Sequence, residues 1–103
     1  MEAGLVVTPY QKGRVKEYKV MGILRKEGWL CVRVARSRGP ADILAGKKGN
    51  VKLIQVKSGK GRISDEELKE LRRWSKAFGA TAEVWLFKKG SLTRWPVYTP
   101  KGR

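Results

Sequence analysis

The sequence predicts an α/β fold of order α-β-β-β-α-β-β, a central mixed sheet flanked by helices. Two helical stripes that each end at a glycine, and five short runs of alternating or β-rich residues separated by turn formers, carry this expectation.

In the first helix, Thr8 suits an N-cap and Pro9 the first helical position, and the pattern runs to Glu27 before Gly28 stops it. Leu30 to Ala35 sets Leu30, Val32 and Val34 against Cys31, Arg33 and Ala35, the period of a strand. Arg36 to Pro40 breaks that pattern. Asp42 to Ala45 reads as a short second strand, Gly46-Lys47-Lys48-Gly49-Asn50 as a turn and Val51 to Ser58 as a third strand, together a meander. Ser64-Asp65-Glu66-Glu67 has the form of a capping box, and Leu68, Leu71, Ser75 and Phe78 follow at helical spacing until Gly79. Ala82 to Lys88 and Leu92 to Tyr98 are two further strands around Lys89-Gly90-Ser91, and Pro96 confines the last to a sheet edge.

A chain of 103 residues suits one domain, with an ordered core over about 8–99 and a basic tail over 100–103. Its 24 Lys and Arg against nine Asp and Glu give a formal charge of +15, which calls for a polyanionic partner. Nucleic acid is favoured over membrane because no apolar run approaches the roughly 20 residues that span a bilayer. No signal peptide is evident, so an intracellular, cytoplasmic location is expected. Cys31 is the only cysteine and histidine is absent, which excludes internal disulfides, Cys/His zinc sites and His-dependent triads. Cys31 is read as a small buried hydrophobe. One asparagine, two glutamines and abundant Lys and Glu match the compositional bias of hyperthermophile proteins.

With nine acidic residues, each can be weighed. Asp65, Glu66, Glu67 and Glu70 are explained by capping and the dipole of the second helix. Glu2 is near the chain start, Glu27 closes the first helix and Glu83 is a strand residue expected to face water. Glu17 and Asp42 remain. Glu17 shares a stripe with Val20, Met21 and Leu24, so it leaves the helix from its apolar side; the plain alternative is a rim carboxylate paired with a Lys or Arg. Asp42 opens the second strand, where a turn-forming role is the alternative. In the third strand Val51, Leu53, Gln55 and Lys57 share one face and Lys52, Ile54, Val56 and Ser58 the other, so Gln55 and Lys57 project together, unless they mark an edge or a solvated face. Hairpin pairing of the second and third strands would bring Asp42 to Gln55 and Lys57, with Glu17 added by the first helix. Carboxylates holding magnesium beside a lysine that orients or deprotonates water make a phosphodiester-hydrolysing centre that needs no histidine.

These segments resemble the archaeal Holliday-junction resolvases of the PD-(D/E)xK nuclease superfamily over nearly the whole chain. Lys12-Gly13 precedes Glu17, and Gly28-Trp29 follows the helix. Arg33-Val34-Ala35-Arg36-Ser37 leads to Asp42-Ile43-Leu44-Ala45-Gly46, and then comes Ile54-Gln55-Val56-Lys57. Phe78-Gly79-Ala80, Val84-Trp85-Leu86 and Leu92 to Val97 complete the order. The resemblance implies a restriction-endonuclease-like fold over a single nuclease domain, residues 1–103. It implies a Mg²⁺-dependent endodeoxyribonuclease, with Mn²⁺ as a substitute, acting on four-way DNA junctions in recombination and repair. The ion would be held by Glu17, Asp42, Gln55 and the Val56 carbonyl, with Lys57 acting on the attacking water and Ser37 beside the scissile phosphate. It implies a homodimer, which exposed aromatics at Trp85, Phe87 and Trp95 would fit, core packing being the other explanation for them. In one respect the chain departs from the pattern: Gln55 stands where the family carries an acidic residue. An amide oxygen ligates a hard cation without bringing charge, which leaves a related nuclease acting on flap, nicked or duplex DNA, or a noncatalytic DNA-binding homologue, as alternatives.

Lys12, Arg14, Lys16, Arg33, Arg36, Arg38, Lys47, Lys48, Lys52, Lys60 and Arg62 are candidates for DNA-backbone contacts around this centre. Ser58-Gly59-Lys60-Gly61 lacks the spacing of a phosphate loop.

Overall fold

The expected element order is present in a computed structural model of the chain, in which residues 9–34, 39–59 and 61–100 are described, with side chains from residue 14 onward. Helix α1 spans Pro9–Lys26 and α2 Asp65–Phe78; the strands are β1 Leu30–Arg33, β2 Ile43–Lys47, β3 Asn50–Ser58, β4 Thr81–Lys88 and β5 Ser91–Tyr98. Thr8, Ala35 and the segment 36–38 lie outside the described residues, the expected cap among them, while β1 ends at Arg33, short of the described Val34 that the alternation includes.

Spatial order in the sheet follows chain order, β1-β2-β3-β4-β5. The first three strands form the expected antiparallel meander, with Ile43 opposite Ile54 and Leu44 opposite Leu53. Parallel pairing of β3 with β4 follows from the passage through α2, because parallel neighbours need a long crossover. β5 returns antiparallel at the edge, where Pro96 sits opposite Glu83 next to a register irregularity.

Strand alternation sorts side chains into two layers. Ile43, Ala45, Ile54 and Trp85 meet Val20, Met21 and Leu24 of α1, the stripe read from the sequence. Leu53, Ala82 and Val84 meet Leu71 of α2 with Ala41 and Ala80. Full burial of a side chain such as Leu24 or Leu71 contributes about 2 kcal/mol each by transfer. The ends of α2 match expectation closely. Ser64 Oγ accepts from the Glu67 amide at 3.1 Å while Glu67 Oε1 accepts from the Ser64 amide at 2.9 Å, and Gly79 closes the helix at φ 65°.

Three expectations are corrected here. Gly46 and Lys47 are strand residues, and only Lys48 and Gly49 turn, with φ of 50° and 82°. This is the two-residue hairpin geometry usually signalled by Asn-Gly or Asp-Gly, and Lys-Gly conceals it. Glu83 does not face water freely: it pairs with Lys52 at 2.7 Å and accepts from Trp85 Nε1 at 2.9 Å. The late-strand aromatics are core, not surface. Trp85 is fully buried, Phe87 packs against the α1 layer and Trp95 against the α2 layer.

The exposed apolar side chains lie elsewhere. α2 covers β3, β4 and β5, leaving its face of the sheet open over β1, where Leu30 is 83% and Val32 56% exposed. Phe78, at the end of α2, is half-exposed and borders the same surface with Leu44 and Val51. No described helix is long and apolar enough to cross a membrane.

Candidate active site

Asp42 is held by three hydrogen bonds that tie the end of β1, the start of β2 and the middle of β3. Its amide donates to the Ile54 carbonyl at 2.8 Å, its carbonyl accepts from the Val34 amide at 2.8 Å, and Oδ2 accepts from the Val56 amide at 2.8 Å. The side chain therefore serves a neighbouring strand and not its own turn, which decides against the turn-former reading. Burial raises the Asp42 carboxyl to a pKa of about 6; the Val56 amide and Lys57 oppose that rise, while the charges of Glu17 and Glu67 add to it.

Gln55 and Lys57 lie on the α2 face of β3, the middle strand of five, and both are half-buried. Neither the edge nor the solvated-face explanation holds for them. Asp42 and Gln55 line a cleft of about 330 Å³ with Gly39, Pro40, Glu66, Glu67 and Glu70. Lys57 is joined to this group through Glu67, whose Oε2 accepts from Lys57 Nζ at 2.9 Å. The Ser64 amide first, and Lys57 second, hold the Glu67 carboxyl below its usual range.

Glu17 comes from α1 with its carboxylate mostly shielded, and Oε1 accepts from Arg33 Nη1 at 3.2 Å. The paired-rim explanation thus describes its immediate contact. Arg33 in turn stands opposite Ile43, the residue after Asp42, so α1 brings Glu17 to the same end of the sheet, where its charge adds to the rise of the Asp42 pKa. Val56, expected to offer its carbonyl, turns its amide toward Asp42; in a strand the N–H and C=O of one residue face the same neighbour, which directs the carbonyl to that side as well.

Among the described residues no three carboxylates converge as a ready metal cage. Asp42 is still suited to a hard cation, because a shielded carboxylate with two carboxylates acting on it is relieved by a positive ion. Gln55 lines the same cleft, and its amide oxygen, like the Val56 carbonyl, is a neutral oxygen of the kind a hard cation accepts.

Glu67 is the residue that sequence reasoning set aside. The capping box explains it fully as a local feature, and only the tertiary structure shows that its other oxygen meets Lys57. The cations divide. Arg33 is occupied by Glu17, Arg14 sits beside the Tyr18 phenol, and Lys16 lies 5.3 Å from the Phe87 ring. Lys47 donates to the Glu27 carbonyl at 2.7 Å, and Lys52 is taken by Glu83. The Lys48-Gly49 turn is at the far end of the β2–β3 hairpin, roughly 17 Å along the strand from Asp42, so Lys47 and Lys48 do not flank the site. Arg62 is exposed and lines a second cleft with Lys57. Ser37, Arg36, Arg38, Lys60 and the side chain of Lys12 fall outside the described residues.

The family model of the archaeal Holliday junction resolvase (Hjc) matches residues 8–102. The chain belongs to that family. A curated relative, the crossover junction endodeoxyribonuclease Hjc of Methanocaldococcus jannaschii, is 36% identical over 73 residues, 68% of this chain and 54% of the relative. The match thus spans about half the length of that protein. Among solved structures, Hjc of Archaeoglobus fulgidus, a Holliday junction resolvase from an archaeal hyperthermophile, superposes with a TM-score of 0.74 at 31% identity, covering 84% of this chain and 73% of that one. Family and fold agree with the resemblance read from the motifs, and the five-stranded mixed sheet between two helices is the Hjc nuclease fold.

Proposed function

We propose that this Hjc-family chain is a single-domain, divalent-metal-dependent endodeoxyribonuclease that cuts four-way DNA junctions inside the cell. The observation that carries this reading is the Asp42 clamp: a buried carboxylate held by the Val56 amide, in one cleft with Gln55 and next to Lys57. Asp42, the Gln55 and Val56 oxygens and Glu17 would hold Mg²⁺ or Mn²⁺. The bound ion would polarise the phosphate and make water a stronger nucleophile at neutral pH.

The residues of the chain divide the remaining work. Two main-chain hydrogen bonds hold Asp42 in place and the Val56 amide holds its carboxylate before substrate arrives, which avoids reorganisation during the reaction. Lys57 Nζ is held by Glu67 at the side of the cleft, where an ammonium orients water and stabilises charge developing on the phosphate. Glu17, whose carboxylate now accepts from Arg33, would have to turn from that guanidinium to reach the ion. The +15 charge supplies affinity that is steeply salt-dependent and blind to base sequence.

The amide at Gln55 favours one second reading, a binder of junction DNA without cleavage. A Mg²⁺ assay on four-way junction, flap, nicked and plain duplex DNA separates the readings. Paired symmetric cuts confined to the junction are expected. Equal cutting of plain duplex would overturn the junction preference, and binding without any cleavage would leave the noncatalytic reading.

Two cuts across a junction call for two sites, and the open sheet face at Leu30 and Val32 with Phe78 is the surface best suited to a second copy. Leu30→Glu is expected to give a monomer by light scattering, with a melting temperature within about 3 °C of the dissociated parent because an exposed position is changed. A variant that stays dimeric would move the interface elsewhere.

A further inference from the structure

Glu17 and Asp42 are balanced by two cations of the same neighbourhood, Arg33 and Lys57, and Gln55 adds no charge. Among the described residues of α1 and the strands these charges therefore cancel, which leaves the net charge of the cleft to the carboxylates of α2. Glu67 changes that balance. It reaches from α2 to the α2 face of β3, lines the cleft that contains Asp42 and Gln55, and is close enough for its charge to act on Asp42. Both of its oxygens are fixed, Oε1 by the Ser64 amide at 2.9 Å and Oε2 by Lys57 Nζ at 2.9 Å. Glu70, on the same wall, is occupied by Arg73 through two hydrogen bonds.

We propose that Glu67 is a positioning residue that supplies from α2 the negative charge missing at position 55, anchoring Lys57 beside the cleft and making the site attractive to a divalent cation. The inference rests on the metal-site reading above. It differs from a purely local role, because a capping box is satisfied equally by Gln at this position, whereas the charge is not.

Glu67→Gln therefore isolates the charge. Binding of Mn²⁺ to the DNA-free protein, followed by electron paramagnetic resonance, reads the effect without reference to cleavage. The expected result is about a tenfold weaker Mn²⁺ affinity in Glu67→Gln, the order typical for groups behind the metal ligands, with an unchanged helix content and a melting temperature lowered by no more than a few degrees, the effect of losing one anion from the first turn of α2. Gln55→Glu placed in the Glu67→Gln chain is expected to restore the affinity, since it returns a carboxylate to β3, and Gln55→Glu alone to tighten it. Equal Mn²⁺ affinity in the parent and Glu67→Gln, absence of rescue by Gln55→Glu, or no measurable Mn²⁺ binding by the parent would each overturn the proposal. A parent that binds Mn²⁺ in this manner yet cuts none of the four DNAs would leave the Glu67 inference standing and remove the nuclease reading.

Discussion

Asp42→Asn is expected to lower junction cleavage by about a thousandfold or more and, in the same chain, to raise stability when divalent ions are removed. The catalytic loss follows from replacing the anionic donor of the cleft by a neutral amide, a change of the size seen when charge stabilisation of a reacting phosphate is lost. The stability gain has a separate cause. Burial lifts the Asp42 pKa to about 6, above the value of about 3.9 for an unfolded chain. An acid of this kind binds its proton more tightly in the folded state, so the fold is favoured below about pH 4 and loses that advantage as pH rises through about 6. At pH 7.5 in EDTA the folded parent carries a destabilising charge that asparagine does not have, while the amide oxygen still accepts from the Val56 N–H. The difference is on the order of 2 kcal/mol, or about 10 °C in Tm for a domain of this size. It should shrink toward zero at pH 4. Thermal unfolding at the two pH values checks this, and no gain at pH 7.5 would refute the burial argument. Calcium should raise the Tm of the parent and not that of the variant.

Lys57→Met is the second large effect. Methionine keeps much of the length and apolar character of the stem but removes the ammonium, so the fall should be in kcat, about 10²- to 10⁴-fold at saturating metal. Junction affinity measured in calcium should stay within a few-fold. Glu67 loses one partner but keeps the Ser64 amide, and the pair is partly exposed, so folding should change little. Activity above a tenth of the parent's would remove Lys57 from the reaction.

The parts of this site that could be read along the chain were those with a local signature. The two faces of β3 follow from strict alternation, which is why Gln55 and Lys57 could be paired before any contact was known. Both ends of α2 are written in a capping box and an αL glycine. The stripe Val20, Met21, Leu24 located Glu17 beside the core. Where a signature was missing or ambiguous, reading failed. Lys48-Gly49 carries no Asn or Asp to announce a two-residue turn, so the sequence pattern ends the strand at Ala45 whereas β2 runs on to Lys47. Trp85, Phe87 and Trp95 have the same alternation whether a helix covers them or water does, and only the placement of the layers decides.

From its sequence alone, then, this protein's two helices, five strands, alternating faces, basic character and resolvase family could be stated, because each depends on neighbours within a turn or a strand, or on motif order. Tertiary structure alone decided the contacts between segments. Parallel pairing of β3 with β4 carries α2 across the sheet, and that crossing, not any property of Ser64 to Glu67, sets Glu67 against Lys57. The register of β2 on β3 likewise hands the Asp42 carboxylate to the Val56 amide. Periodicity says which way a side chain points; only layer order and register determine what it meets there.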